Sequence, residues 1–285
     1  MNAPKLHHYV PQFHLRRFAD ATQRLWVWDR DDDRVFRAKT NSVAAETQFY
    51  RLTQYEIDGH DALEMERQLA SIEGEVAIIT GQWIDWLRDM DALDQVPIPQ
   101  VNREIVSLFL AIQYLRTADT RNILARLAHA DSGTMPTPDE ARRLHTELLW
   151  DEELVNTLSD RIRKSHWLFA RNDTSTPFVT SDNPVTFRSA DNRRWLRAGI
   201  YTPGTYLGFA MATDLILYCH PDEAPWTQLD RYADRLSPVE IDRGMVESEN
   251  SGQVFMATRF LFSSRNSFDA ERDFAKSIRS ESVAS

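Results

Sequence analysis

The sequence predicts an α+β protein: a mainly helical first half with an N-terminal β-hairpin, then a mixed strand/helix second half, in one compact domain. Three observations predict it. Apolar residues recur at alternating steps of four and three from Asp61 to Met90. After about Lys164 the pattern changes to short runs of β-branched and aromatic residues. Those runs do not alternate regularly with helices, as a doubly wound sheet requires.

Taken in order, the chain opens on His7-His8-Tyr9-Val10 before Pro11. A residue before proline is pushed to extended geometry and proline suits a first helical turn, so an extended arm should lead into a short helix through Phe13, Leu15 and Phe18. RLWVWDRDDDRVFRAKT reads as a hairpin over residues 24–38. Met65, Leu69, Ile72, Val76, Ile79, Trp83, Trp86 and Met90 mark the apolar stripe of a first long helix. PIPQ at 97–100 breaks it. A second long helix turns Val101, Ile105, Leu108, Phe109, Ile112 and Leu115 inward.

SGTMPTP is a loop, with Thr137 or Asp139 capping a third helix that runs to about Lys164. Strands are expected at His166–Arg171, at Pro177–Ser181, once or twice within Tyr206–His220, and at Arg259–Ser263. Residues 222–235 and 240–257 read as helices. The domain is expected to span residues 1–263, helical over 61–164 and mixed over 165–263. Residues 264–285 then form a flexible or loosely helical tail.

A chain of 285 residues buries a sizeable core without disulfides or metal. The single cysteine, Cys219, excludes an internal disulfide framework and any multi-cysteine metal centre, and it fits a reducing compartment. No apolar run resembles a signal peptide or reaches the roughly 20 residues that span a bilayer. The expectation is a cytoplasmic protein without a membrane partner. A net charge of −10 opposes loose, charge-driven binding to nucleic acid, but permits a local basic cleft.

Four places carry candidate chemistry. His7 and His8 stand on the extended arm with side chains on opposite faces, and the Val10 alignment places His8 on the packed side. One imidazole can serve as a general base, ligand or phosphate contact; both can equally well cap nearby backbone. Arg116 shares the inward stripe of the second long helix, with Gln113 one turn away and Arg121 extending the patch. A buried guanidinium needs a carboxylate, either an internal partner or an anionic ligand. Phe178-Val179-Thr180 runs into a Ser181-Asp182-Asn183-Pro184 corner, where Asp182 can bind a metal or take a proton, or can build an Asx-turn. Glu66 and Glu73 lie seven apart on one flank of the first long helix, placed for a divalent cation or for a salt-bridge rail. Asn250 adds a polar residue on a core-like helix face. Glycine-rich phosphate loops and a Gly-x-Ser-x-Gly elbow are absent.

The segments HHYVPQFHLRRF, FLAIQYLRT, FVTSDNPV and ENSGQVFMATRFLFSS together resemble the bacterial family known as domain of unknown function 4238. Its members share the His-His-Tyr-Val-Pro arm, a Gln-x-x-Arg-Thr helix, a Thr-Ser-Asp-Asn-Pro corner and a late Asn-bearing helix. The likeness runs from residue 7 to about 263. It implies that His7, His8, Gln113, Arg116, Asp182 and Asn183 form one constellation. His14 departs from the family's tyrosine, which argues against an essential role there. The family supplies no activity.

Two functional expectations follow. In the first, the chain is a hydrolase acting on a phosphate-containing substrate such as a nucleotide or nucleic acid, with a metal-dependent nuclease of bacterial defence or toxin systems as its sharpest form. Asp182, His8 and His7 would be catalytic, Asp182 and Glu73 would hold Mg2+ or Mn2+, and Arg116, Gln113, Asn183 and Arg121 would bind substrate. In the second, the same polar cleft belongs to a non-catalytic module that binds a ligand or partner.

Overall fold

The computed structural model describes residues 6–47, 49–50, 61, 63–91, 94–197, 199–232 and 235–284, without the side chains of 201, 230–232 and 279–284. It is α+β, as the sequence predicts. The arm is β1 (Leu6–His8), which pairs with β4 (Ala45–Thr47) in an antiparallel ribbon that sets His7 opposite Glu46. Pro11 precedes α1 (Gln12–Arg16). The hairpin is β2 (Arg24–Asp29) and β3 (Arg34–Lys39).

Helix α2 (Glu64–Asp89) follows the expected stripe through Met65, Leu69, Val76, Ile79 and Trp83, then departs from it. Trp86 is exposed, and Ile84 and Leu87 are buried in its place. A strict 3.5-residue step drifts off the true 3.6-residue helix over this length, so the last turns face the core one position away. Helix α3 (Gln100–Leu115) is buried nearly all round from Val106 onward, while Val101 is exposed. The expected third helix is two, α5 (Pro138–Leu149) and α6 (Glu152–Arg163), preceded by α4 (Ala118–Ser132). Thr137 starts α5 with a reciprocal capping box to Glu140, and Asp151 caps α6 at the break.

The second half is built on a five-stranded sheet ordered β12-β6-β10-β9-β8, from β6 (His166–Asn172), β8 (Val185–Arg188), β9 (Tyr206–Ala212), β10 (Leu215–His220) and β12 (Pro238–Ile241). All pairs are antiparallel except β12 with β6. Alternation divides its faces. Trp167, Phe169, Leu207, Phe209, Leu217 and Cys219 enter the main core beneath α2 and α3, while Ala170, Tyr206, Ala210, Ile216 and Tyr218 face the other way. Trp83 of α2 packs edge-on against Trp167 and Phe169, and Phe109 of α3 against Phe209.

A second sheet, β3-β2-β13-β7, joins the early hairpin to β13 (Phe260–Ser263) and β7 (Thr180–Ser181). Two residues, not five, are strand in the 177–181 run. The ribbon β5 (Val96–Pro97) with β11 (Arg235–Leu236) is small. The segment 222–235 forms a 3-10 turn over Trp226–Tyr232 rather than an α-helix, and its positions 233 and 234 lie outside the described residues. The late helix is α7 (Arg243–Met256), shorter than expected because 238–241 is strand β12.

Past Ser263 the chain does not trail away. Helix α8 (Asp269–Ala284) packs on α7, and Phe268 and Ala275 are buried with Trp28, Val179, Val254 and Leu261. No described helix is long and apolar enough to cross a membrane. Cys219 is a buried free thiol.

Candidate functional site

The arm, α2 and the end of α3 bring six of the singled-out polar residues together. Arg116 is the C-cap of α3 and is 1% exposed. Its Nη1 donates to Glu73 Oε1 at 2.6 Å and its Nε to Gln113 Oε1 at 2.9 Å. Gln113, fully buried, donates from Nε2 to the Tyr9 carbonyl at 3.0 Å, which ties the arm to the arginine. Burial works against the charge of Arg116, but Glu73, Tyr50 and Glu66 hold its pKa above the usual value. Its Nη2 is buried without a hydrogen-bond partner among the described residues.

The histidines straddle this centre. The Tyr50 amide donates to His7 Nδ1 at 3.1 Å, which places the neutral ring's proton on Nε2. Glu66 lies 3.9 Å from the same Nδ1, too far for a hydrogen bond, so that contact is electrostatic only. His7 is fully buried and His8 half-buried, the reverse of the sequence expectation. The strand ends at His8, so Val10 does not report on the face of His8.

Burial lowers the pKa of His8, with Glu73 and the Asn41 backbone pulling it up and Arg116 and His7 pushing it down. Its Nε2 is buried and has no hydrogen-bond partner among the described residues. Burial, reinforced by Glu73 and opposed by Arg116, pushes Glu66 up to about 7. Glu66 and Glu73 are each about a quarter exposed, at 23% and 24%, so the cluster reaches solvent on the α2 side. Arg121 stands at the rim, bonded to Glu46 Oε2 at 2.7 Å and stacked on Phe49 at 4.2 Å.

Asp182 and Asn183 sit at the β7 corner, where their hydrogen bonds among the described residues run to residues 258–260 and Ser181 and not to the Arg116 cluster, although the Asp182 charge still acts on Tyr9. Asp182 is 3% exposed and accepts three backbone amides, Thr258 at 2.8 Å through Oδ1 and Arg259 and Phe260 at 2.7 and 2.9 Å through Oδ2. Burial still pushes its pKa up to about 6 against those donors. The rest of the corner is stitched to α7. Asn250 accepts from the Val179 amide and donates to the Pro177 carbonyl, and Gln253 donates to the Pro184 carbonyl. Ser181 Oγ lies 2.8 Å from both the Asn183 carbonyl and Gln253 Oε1. The Thr-Ser-Asp-Asn-Pro corner therefore fixes β7 between β13 and α7.

The expectation that Asp182 and Glu73 share a divalent cation meets this arrangement. Both Asp182 oxygens are engaged, and among the described residues no three His, Cys, Asp or Glu side chains converge to hold a metal ion. His14 is buried and bonds Thr180 Oγ1 at 2.9 Å, joining α1 to β7.

Tyr50 and Glu46 belong to the site and carry no sequence signal, since residues 45–50 show neither period. Tyr50 is 1% exposed, and its hydroxyl lies 3.4 Å from the Arg116 carbonyl. No curated protein and no solved structure matches the chain. The family described as Protein of unknown function (DUF4238) matches residues 6–267, nearly the whole of the sequence, and the chain belongs to it.

Proposed function

We propose that the cluster of His7, His8, Glu66, Glu73 and Arg116 is an acid–base site that hydrolyses a phosphate-containing substrate, a nucleotide or a short nucleic acid. One observation carries the reading: largely buried groups with spare capacity lie within electrostatic reach of Arg116 and Glu73. Among the described residues Arg116 Nη2 lacks an acceptor and His8 Nε2 lacks a partner, while the Glu66 pKa is pushed up to about 7. Neighbouring groups whose pKa values are pushed apart, one imidazole down and one carboxyl up, are what a hydrolase uses as base and acid.

In this scheme His8 Nε2 takes a proton from the attacking water as its oxygen bonds to phosphorus. Protonated Glu66 supplies the proton to the leaving oxygen as the phosphorus–oxygen bond breaks. Arg116 stabilises the charge on the non-bridging oxygens. The net charge of −10 favours a small substrate over a long nucleic acid.

The test is a turnover screen against nucleotides, RNA and DNA, with and without Mg2+ or Mn2+. Activity should vanish in Glu66→Gln and His8→Gln variants that keep the wild-type circular dichroism. Activity indifferent to both substitutions, or none on any of these substrates, overturns the reading.

A second reading is favoured by the burial of Arg116 with Glu73 already bound to it. In that case the cluster holds the arm onto α2 and α3, and the chain is a non-catalytic module.

A further inference from the structure

On the other face of the five-stranded sheet, away from α2 and α3, lies a cavity of about 560 Å³ between the strands and α7. It shares no lining residue with the His–Glu–Arg cluster. The volume is in the range that small-molecule sites occupy. One wall is aromatic: Tyr206 from β9, Tyr218 and His220 from β10, and Trp226 from the turn that follows. Tyr206 stacks on His220 with centroids 4.6 Å apart, and His220 lies 4.4 Å from Trp226. Rings in direct contact leave no gap for a ligand between them, so this is a continuous wall and not a cage for an organic cation. Burial, with His166 adding to it, holds the His220 pKa down to about 4, so the wall is uncharged at neutral pH.

The polar end is Glu249 of α7, 6% exposed. Arg188 Nη1 lies 3.3 Å from its Oε1, and Arg188 is itself held by the Asn192 carbonyl at 3.1 Å and stacked on Trp195. Among the described residues neither Glu249 Oε2 nor the hydroxyl of Tyr218, also 6% exposed, makes a well-formed hydrogen bond, although the two groups face each other closely enough to interact. Tyr218 is paired across the strands with Gly208, whose missing side chain leaves the space that Glu249 reaches into. Buried polar atoms are normally fully hydrogen-bonded, so a carboxyl and a phenol that face each other at one cavity end without a well-formed bond mark where a ligand completes the bonding. A carboxylate oxygen, the form Glu249 takes above about pH 7, accepts, and a phenol can donate. Their complement is a ring N–H beside a carbonyl oxygen. Asp242, which also lines the cavity and caps α7, opposes a phosphate at the helix end.

We propose that this cavity binds the base of an oxopurine nucleoside of the guanine or hypoxanthine type. Its ring lies on the Tyr206–His220–Trp226 wall, its ring N–H donates to Glu249 Oε2, and its carbonyl oxygen accepts from the Tyr218 hydroxyl. The proposal holds whether or not the acid–base site turns over.

Calorimetric titration of the full chain with guanosine, inosine, adenosine and choline tests it. Guanosine and inosine should bind saturably, and adenosine, which has no ring N–H at that edge, at least ten-fold more weakly. Tyr218→Phe, which removes the hydroxyl and keeps the ring, should weaken guanosine about ten-fold. In Glu249→Gln the amide oxygen stays with Arg188 and turns an NH2 toward the cavity, so preference should swing toward adenosine. Thermal melts establish that each variant is folded. No saturable binding of guanosine or inosine, choline binding more tightly than either, or a folded Glu249→Gln variant with the wild-type order of preference each overturns the proposal.

Discussion

Arg116 and Glu73 form a lopsided ion pair, a guanidinium 1% exposed bonded at 2.6 Å to a carboxylate 24% exposed. Removing one member of a buried pair typically costs about 3–5 kcal/mol, chiefly through the charge left behind. Here the charge left by Arg116→Ala is Glu73, which keeps solvent access, so the loss should be near about 3 kcal/mol. Arg116→Lys should recover only part of it, since an ammonium cannot reproduce the guanidinium fork that serves Glu73 and Gln113 together. Urea denaturation of the two variants measures both. A neutral or stabilising Arg116→Ala would mean that the arginine is held under strain for a ligand.

Glu66 and Glu73 are coupled through the same arginine. After burial, the carboxylate of Glu73 is the main cause that pushes Glu66 up to about 7. Glu73→Gln should therefore lower the Glu66 pKa toward the ordinary glutamate range and let Glu66 take over as the counter-ion of Arg116. NMR titration of the Glu66 side-chain carboxyl carbon is the check. An unchanged midpoint would place the two carboxylates too far apart to share one site.

The contrast between these residues and Asp182 marks what the sequence makes legible. Helix α2 and the hairpin announce themselves by period. Arg116 stands out because it shares an apolar stripe, Gln113 by its one-turn spacing from Arg116, and Glu73 by its seven-residue spacing from Glu66 on the flank of the α2 stripe. That is why Glu73, Gln113 and Arg116 could be found without coordinates. Asp182 also stands out, but sequence cannot distinguish a carboxylate that meets substrate from one that meets three amides 76–78 positions away. Glu46 is placed by β1–β4 pairing and Tyr50 by the bond from its amide to His7, non-local events with no local pattern. The oxopurine cavity is hidden for the same reason, since Gly208 and Tyr218 become neighbours only through strand register.

Asp182→Asn tests the amide clamp. An asparagine offers one oxygen where the carboxylate offers two, and turns an NH2 against an amide N–H. Hydrogen bonds to a charged group contribute about 1.5–3 kcal/mol each, so a loss of about 3 kcal/mol or more is expected, with the 258–260 segment exchanging amide hydrogens faster. Hydrogen-exchange mass spectrometry and a thermal melt read the two effects. Unchanged protection of 258–260 would deny Asp182 this role.

Gly208→Ala probes the opening beside Glu249. A Cβ there would lie 2.8 Å from Thr186 Oγ1 and 3.6 Å from Glu249 Oε2. The Thr186 hydroxyl must move and give up its 3.1 Å bond to the Gly208 carbonyl, a local overpacking worth about 1–3 kcal/mol. The variant should melt at lower temperature and bind guanosine more weakly, whereas Gly81→Ala, with nothing within 4 Å, should not lose stability. Equal melts for the two variants would contradict the tight contact.

Glu249 gives a pH signature of its own. Burial raises its folded pKa to about 7, offset in part by Arg188 and Tyr218, against an ordinary value of 4.5. The folded state therefore holds the proton more tightly than the unfolded chain. The stability that this contributes is complete below pH 4.5 and is lost as pH rises to about 7. Glu249→Gln does not titrate, so its stability relative to wild type should climb across that window by about 3 kcal/mol and stay level above it. The tyrosines facing the carboxyl, Tyr206 and Tyr218, are pushed up by burial and do not titrate there. His14, His145 and His220, held low by burial, give a slope of the opposite sign, but they are present in both proteins and cancel in the difference. Paired urea melts from pH 4 to 8 measure the difference. A flat difference would mean that Glu249 is already ionised against Arg188, and the cavity would then present a fixed carboxylate across the whole range.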